Sequence, residues 1–172
     1  DLKILSDIND YIEWLKKQNI SQSKWIELDV FKRQNWYVPK QTESPNSNTF
    51  IHKLTKKITD KKCLIVDGGG TALFAGFQSA VLNKGDRIIC SSAISSMGTG
   101  LAETIGVSKS SEFLKYICVI GDGSFLMNIQ DLQTIRQDNI NVVICVINNN
   151  GYLAIRHTQN QFLEGRLHGT HP

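Results

Sequence analysis

The sequence predicts an α/β domain: a three-layer αβα arrangement built on a doubly wound parallel sheet, preceded by a helical linker segment. Three observations carry this. Continuous β-branched runs lie at about 62–67, 86–90, 115–121 and 141–148, as expected of strands buried on both faces. They recur about every 27 residues, the length of one strand, one helix and two connections. Helical stretches at about 72–82, 99–107, 125–137 and from about 152 onward fill the gaps, and this alternation is that of a sheet covered by helices on both sides.

The cysteines mark the same rhythm. Cys63, Cys90, Cys118 and Cys145 each sit within or at the end of one apolar run, and no two form a Cys-x-x-Cys pair. They are read as reduced core residues on successive strands, not as a zinc or thioredoxin-like site. Reduced thiols point to a reducing, cytoplasmic setting.

The first 50 residues have a different character. Ile4, Ile8, Ile12 and Leu15 recur at helical spacing, and Trp25, Leu28 and Phe31 mark a second helix near 21–34. Tyr37 to Asn48 gathers Pro, Ser, Thr and Asn into a linker. Phe50, Leu54 and Ile58 then continue as a helix into the first strand. Residues 1–49 are therefore read as the tail of a preceding domain with its linker, and 50–172 as the α/β domain. The chain opens on Asp1 rather than Met and ends in Gly165-Arg-Leu-His-Gly-Thr-His-Pro172, with no evident final element. Both ends read as those of a piece of a longer gene product, the domain being incomplete at its C-terminus.

Composition narrows the function classes. Of 172 residues, 41% are hydrophobic and 20% charged, a globular profile. No apolar run reaches the roughly 20 residues of a membrane helix, and no basic-then-apolar leader opens the chain. The net charge of +3 comes from a Lys excess in the first third. No aromatic-interleaved basic patch accompanies it, so neither a nucleic acid nor a membrane is expected as a partner.

The chemistry is concentrated at two strand ends. Gly121-Asp-Gly-Ser124 follows the third run and Asn148-Asn-Asn-Gly-Tyr152 the fourth, both where open parallel sheets bind ligands. Mg²⁺ takes oxygen ligands and commonly bridges phosphates. Asp122 offers a carboxylate oxygen, Asn149 an amide oxygen and Gly151 a backbone carbonyl. Gly121 and Gly123 allow close approach of a phosphate, and a helix starting near Ser124 presents free N–H groups to an anion. Each motif alone is also an ordinary turn; the pair, at matching strand ends, is what points to a metal–diphosphate clamp.

This pairing resembles the signature of thiamine diphosphate enzymes, and the spacing from Asp122 to Asn149 is similar to theirs. The resemblance implies thiamine diphosphate and Mg²⁺ as cofactors, with Asp122, Asn149 and the Gly151 carbonyl on the metal and Tyr152 beside them. Ser95-Ser-Met-Gly-Thr-Gly-Leu-Ala-Glu-Thr-Ile-Gly106 resembles a stretch of the acetolactate synthase branch. There the Met97 position props the cofactor into a bent shape, while backbone near Ser95 and Met97 faces its aminopyrimidine. Ala102 and Glu103 depart from the branch pattern, which has Pro and a small residue. Val66-Asp-Gly-Gly-Gly-Thr71 places Gly70 and Thr71 near the diphosphate, although branch members carry Gln-His there.

Ile155 occupies the position at which related decarboxylases carry a proton-handling Glu. An aliphatic group has no proton to give, which favours carbon–carbon bond formation over aldehyde release. The resemblance therefore implies a 2-oxo acid, such as pyruvate, as substrate for decarboxylation and carboligation. It implies a catalytic Glu supplied by the pyrimidine-binding domain of a partner subunit, within a homodimer or homotetramer. A flavin (FAD) is compatible with the branch but indicated by no residue. His157, His168 and His171 lack the spacing of a metal cluster. The alternatives are a decarboxylase of the same family, a cofactor-binding fragment without turnover, and an ordinary nucleotide-binding module.

Overall fold

In the computed structural model, residues 7–17, 46–91 and 93–170 are described. The expected helix near 21–34 and most of the linker lie outside them, as do Ile4 and His171. The chain divides into two compact units, residues 1–37 and 38–172.

In the first unit, helix α1 (Ile8–Lys17) realises the first amphipathic stretch. Asp7 caps it by accepting from the Asn9 N–H at 2.9 Å. Tyr11 and Trp14 stack at 5.9 Å between ring centroids, an i,i+3 pair on one helical face.

The second unit runs α2 (Ser47–Lys57), β1 (Lys62–Val66), α3 (Gly70–Ser79), β2 (Arg87–Ile89), α4 (Gly100–Ser110), β3 (Lys115–Gly121), α5 (Asp122–Met127), α6 (Asp131–Gln137), β4 (Val142–Ile147) and α7 (Leu153–Phe162). All four strands are parallel, in the order β2-β1-β3-β4. β1 and β3 are neighbours from which the chain winds outward in opposite directions, which is what doubly wound means. The ligand crevice of such a sheet lies at that reversal.

Side chains sort onto the two faces by strand alternation. Leu64 and Val66 stand beside Ile117 and Val119 on one face, packed with Ile51 of α2 and Ala72 and Ala75 of α3. On the other, Cys63 and Ile65 join Tyr116, while Cys118 and Ile120 pack with Leu101 of α4 and Ile135 of α6. Helices on both faces complete the three layers. The thiols of Cys63, Cys118 and Cys145 are free. Burial pushes Cys63 up to about 11 and Cys118 up to about 12, so at neutral pH they are un-ionised packing groups.

Two local expectations change. The stretch 125–137 is not one helix: α5 and α6 are separated at Asn128–Gln130, because the Asn128 side chain leaves its helix to donate to the Gly98 carbonyl at 2.7 Å. In α2 the fully buried residues are Ile51 and Thr55, with Leu54 and Ile58 packed beside them and Phe50 49% exposed. The Thr55 hydroxyl donates to the Ile51 carbonyl at 2.7 Å and accepts from the Val81 N–H at 2.9 Å, so a polar residue serves the core by tying α2 to the segment after α3.

Among the described residues, no helix is long and apolar enough to cross a membrane.

Candidate functional site

The carboxyl ends of β1, β3 and β4 enclose one open cleft. Its wall includes Gly70, Thr71, Met97, Gly121, Asp122, Gly123, Ser124, Asn149, Gly151, Tyr152 and Ile155. Residues singled out from four separate stretches of sequence therefore meet at one place. Ser95 stands behind the wall, against Gly68. Gly69, Leu153 and Ala154 line it too, small or apolar residues that carry no signal of their own in the sequence.

The fourth strand's tip turns sharply. Asn150 has φ +63° and Gly151 φ +101°, and the second value is one glycine adopts without strain. The turn aims the Gly151 N–H back at the third strand's tip, where Asp122 Oδ2 accepts it at 2.7 Å. Asp122 Oδ1 accepts from the Gly123 N–H at 3.0 Å. Each carboxylate oxygen keeps a further lone pair for a ligand. Gly123 has no side chain because the Tyr152 ring fills that space: a Cβ there would lie 2.5 Å from Tyr152 Cε1.

Asn149 is fixed at both ends. Its Nδ2 donates to Thr71 Oγ1 at 3.2 Å, and its backbone carbonyl accepts from the Arg156 guanidinium at 2.8 Å. Its Oδ1 is buried and has no partner within the protein. Such an orphan costs about 1–3 kcal/mol and calls for a ligand to explain it. Asp122 carboxylate, Asn149 amide oxygen and Gly151 carbonyl form an all-oxygen set, the chemistry a hard divalent cation requires. The residues fit Mg²⁺. Among the described residues, no three His, Cys, Asp or Glu gather into an alternative site.

An anion is also provided for. Helices α3 and α7 both open onto the cleft, and their N-caps Gly69 and Tyr152 make no side-chain cap hydrogen bond. A helix start with free N–H groups and a positive dipole end is what binds phosphate groups; at α7 the Leu153 N–H is already given to the Gly151 carbonyl at 3.0 Å.

Met97 is 37% exposed on the cleft wall, and the glycine run after β1 is its seat. A Cβ on Gly69 would lie 2.5 Å from Met97 Cγ, and one on Gly68 2.2 Å from the Ser96 carbonyl oxygen. The second clash is with backbone and cannot be relieved by a rotamer change. Gly68→Ala is therefore expected to destabilise the chain by about 1–3 kcal/mol, read as a lower midpoint in urea denaturation with an unchanged slope.

Residues 67–172 match the family described as "Thiamine pyrophosphate enzyme, C-terminal TPP binding domain". The chain belongs to this family. Within the thiamine pyrophosphate enzymes its relatives are acetolactate synthase-like. It is 29% identical to the acetolactate synthase large subunit of Buchnera aphidicola subsp. Schizaphis graminum over 96% of this chain and 30% of that protein. It is 31% identical to the corresponding subunit from Buchnera aphidicola subsp. Acyrthosiphon pisum, over 90% of this chain and 28% of that one. The chain thus spans about 30% of the length of these relatives. A Rhodococcus jostii RHA1 thiamine diphosphate-dependent 4-hydroxybenzoylformate decarboxylase superposes with a TM-score of 0.65 at 22% identity, over 78% of this chain and 25% of that one. That likeness agrees with the αβα fold of thiamine pyrophosphate-binding domains.

Proposed function

We propose that this thiamine pyrophosphate-binding domain acts with Mg²⁺ as the diphosphate-holding half of an acetolactate synthase-like carboligase for 2-oxo acids. The observation that carries the metal assignment is the buried, unpartnered Asn149 Oδ1 on the same cleft as Asp122. Asp122, Asn149 and the Gly151 carbonyl would hold the ion, and the first turns of α3 and α7, with Gly121, Gly123 and Ser124, would receive the diphosphate. Gly70 and Thr71 would add backbone and hydroxyl contacts, Thr71 lying beside Asn149, whose amide donates to it.

When bound, the cofactor supplies the nucleophilic carbon and electron sink for loss of CO₂ from a 2-oxo acid such as pyruvate. The chain's own residues orient it. Met97, backed by Gly69, would prop its bend, with backbone at Ser95 and Met97 toward the aminopyrimidine. Ile155 walls the cleft with an aliphatic surface that can neither give nor take a proton. The Glu that activates the cofactor would come from the pyrimidine-binding domain of a partner subunit, within a homodimer or homotetramer located in the cytoplasm.

The test joins this chain to a pyrimidine-binding domain and supplies thiamine diphosphate, Mg²⁺ and pyruvate. Acetolactate or acetoin is the expected product, and acetaldehyde alone would replace the carboligase reading with a decarboxylase one. Ile155→Glu places a proton donor on the wall, and the aldehyde share of product is then expected to rise by roughly tenfold or more, given the 10²–10⁴-fold reach of general acid catalysis. An unchanged product ratio would remove Ile155 from the mechanism.

A further inference from the structure

The turn that carries Asn149 and Gly151 is held from outside the cleft. Its Asn149–Asn150 peptide is bonded at both ends by side chains. The Asn150 N–H donates to Asn148 Oδ1 at 3.0 Å, and the Asn149 carbonyl accepts from the Arg156 guanidinium at 2.8 Å. Arg156 lies at the end of the first turn of α7, its own N–H donating to the Tyr152 carbonyl at 2.9 Å. Helical side chains lean toward the helix N-terminus, so from this position Arg156 reaches back over the turn that precedes the helix. It is half-buried, and no carboxylate among the described residues pairs with it. The guanidinium thus gives this peptide carbonyl a charge-assisted bond, the stronger kind. Neither Asn148 nor Arg156 lines the cleft.

The orientation of that peptide decides the conformation of Asn150. Turning a peptide plane over exchanges a positive φ at the following residue for a negative one, the difference between type II and type I turns. Asn150 stands at φ +63°, a region that Asn tolerates but that costs any residue with a Cβ. The two side-chain bonds oppose this cost. Were the plane to turn over, Gly151 would leave Asn150 in a new direction. Its N–H would lose the aim that now delivers it to Asp122 Oδ2 at 2.7 Å.

We propose that Arg156 is a positioning residue of the ion site. With Asn148 it locks the Asn149–Asn150 peptide in the orientation that keeps Asn150 left-handed, and so sets the Asn149 amide and the Gly151 carbonyl against Asp122. The lock belongs to the ligand-free chain; its consequence for Mg²⁺ rests on the ion assignment proposed above.

The experiment compares the parent chain with Arg156→Met, which keeps an unbranched stem and removes the donor, and with Arg156→Lys, which restores a charged donor. In the ligand-free chain, nuclear magnetic resonance reads the lock directly, because the amide and α protons of one residue approach most closely at positive φ. The Asn150 NOE between them should be strong in the parent, fall in Arg156→Met and return in Arg156→Lys. Asn148→Ala frees the other end of the same peptide and should also weaken it.

Calorimetric titration with thiamine diphosphate, with and without Mg²⁺, then reads the consequence. Arg156→Met should weaken the Mg²⁺-dependent affinity by roughly tenfold and leave the Mg²⁺-independent part within about twofold of the parent. Only one donor is used here, so Arg156→Lys should stand within about threefold of the parent, unlike a lysine at a bidentate site. A strong Asn150 NOE that persists in Arg156→Met or Asn148→Ala would overturn the lock. An equal loss of affinity with and without Mg²⁺, or no recovery in Arg156→Lys, would overturn the positioning role. A parent whose affinity gains nothing from Mg²⁺ would remove the ion assignment itself, and this inference with it.

Discussion

Asp122→Asn is expected to weaken Mg²⁺-dependent binding of thiamine diphosphate by at least about 100-fold, equivalent to about 2.7 kcal/mol. The variant keeps an oxygen able to accept the Gly151 N–H, which Asp122 Oδ2 now receives at 2.7 Å, so the turn should survive while the negative charge on the ion is lost. Calorimetric titration with the cofactor, with and without Mg²⁺, separates the metal-dependent part of the affinity. Asn149→Ala should give a loss of the same order and also release Thr71, to which the amide donates. Equal affinities of parent and Asp122→Asn in Mg²⁺ would mean that the two strand tips do not share an ion.

The second large effect lies at the opposite end of the sheet. Lys62 and Asp86 form an ion pair at 2.6 Å, with side chains 0% and 2% exposed. Lys62 Nζ also donates to the Ile58 carbonyl at 3.1 Å. Asp86 receives the Lys62 and Asn83 N–H groups at 3.0 and 2.7 Å, so it knots the start of β1 to the turn before β2. Asp86→Ala strands a buried ammonium and should cost about 3–5 kcal/mol. Replacing both residues, as in Lys62→Met with Asp86→Leu, should recover most of that loss, because a well-packed apolar pair can match a buried ion pair.

This knot also makes stability depend on pH. Burial by itself would raise Asp86, but the bonds from Lys62 and Asn83 and the Lys62 charge outweigh it and hold the carboxyl below its ordinary value. Its stabilisation is therefore present above the unfolded carboxylate value and lost as pH falls through the folded one. Urea denaturation at several acidic pH values should show the parent losing stability in that range, and the double replacement losing less.

Much of this molecule was legible in its sequence, for a definite reason. Strands such as Cys63-Leu-Ile-Val66 and Ile117-Cys-Val-Ile120 declare themselves by composition. Asp122, Asn149 and Gly151 are residue types whose local turn chemistry is the same chemistry that would serve an ion. What stayed hidden depends on partners distant along the chain. The break at Asn128 follows from a carbonyl at Gly98, and no Gly or Pro in Leu126–Asp131 announces it. Asp67 reads as an ordinary residue after a strand until Gly100 is seen bonding to it. Lys62 reads as a polar strand end, yet it is fully buried because Asp86 awaits it. Of Phe50, Leu54 and Ile58, the last two pack against the core, while the fully buried positions of α2 are Ile51 and Thr55, which their spacing does not announce.

The strand order β2-β1-β3-β4 also governs when the cleft can come into being. β1 is central although it comes first in the chain, and it must wait for β3 to be synthesised and docked before its second edge is paired. Pairings this remote along the chain raise contact order and slow assembly. No early intermediate built from β1, α3 and β2 alone can possess the cleft, since Asp122 and Asn149 arrive with the later strands. Any ligand captured there would bind only the finished sheet, and by mass action it would stabilise all four strands at once.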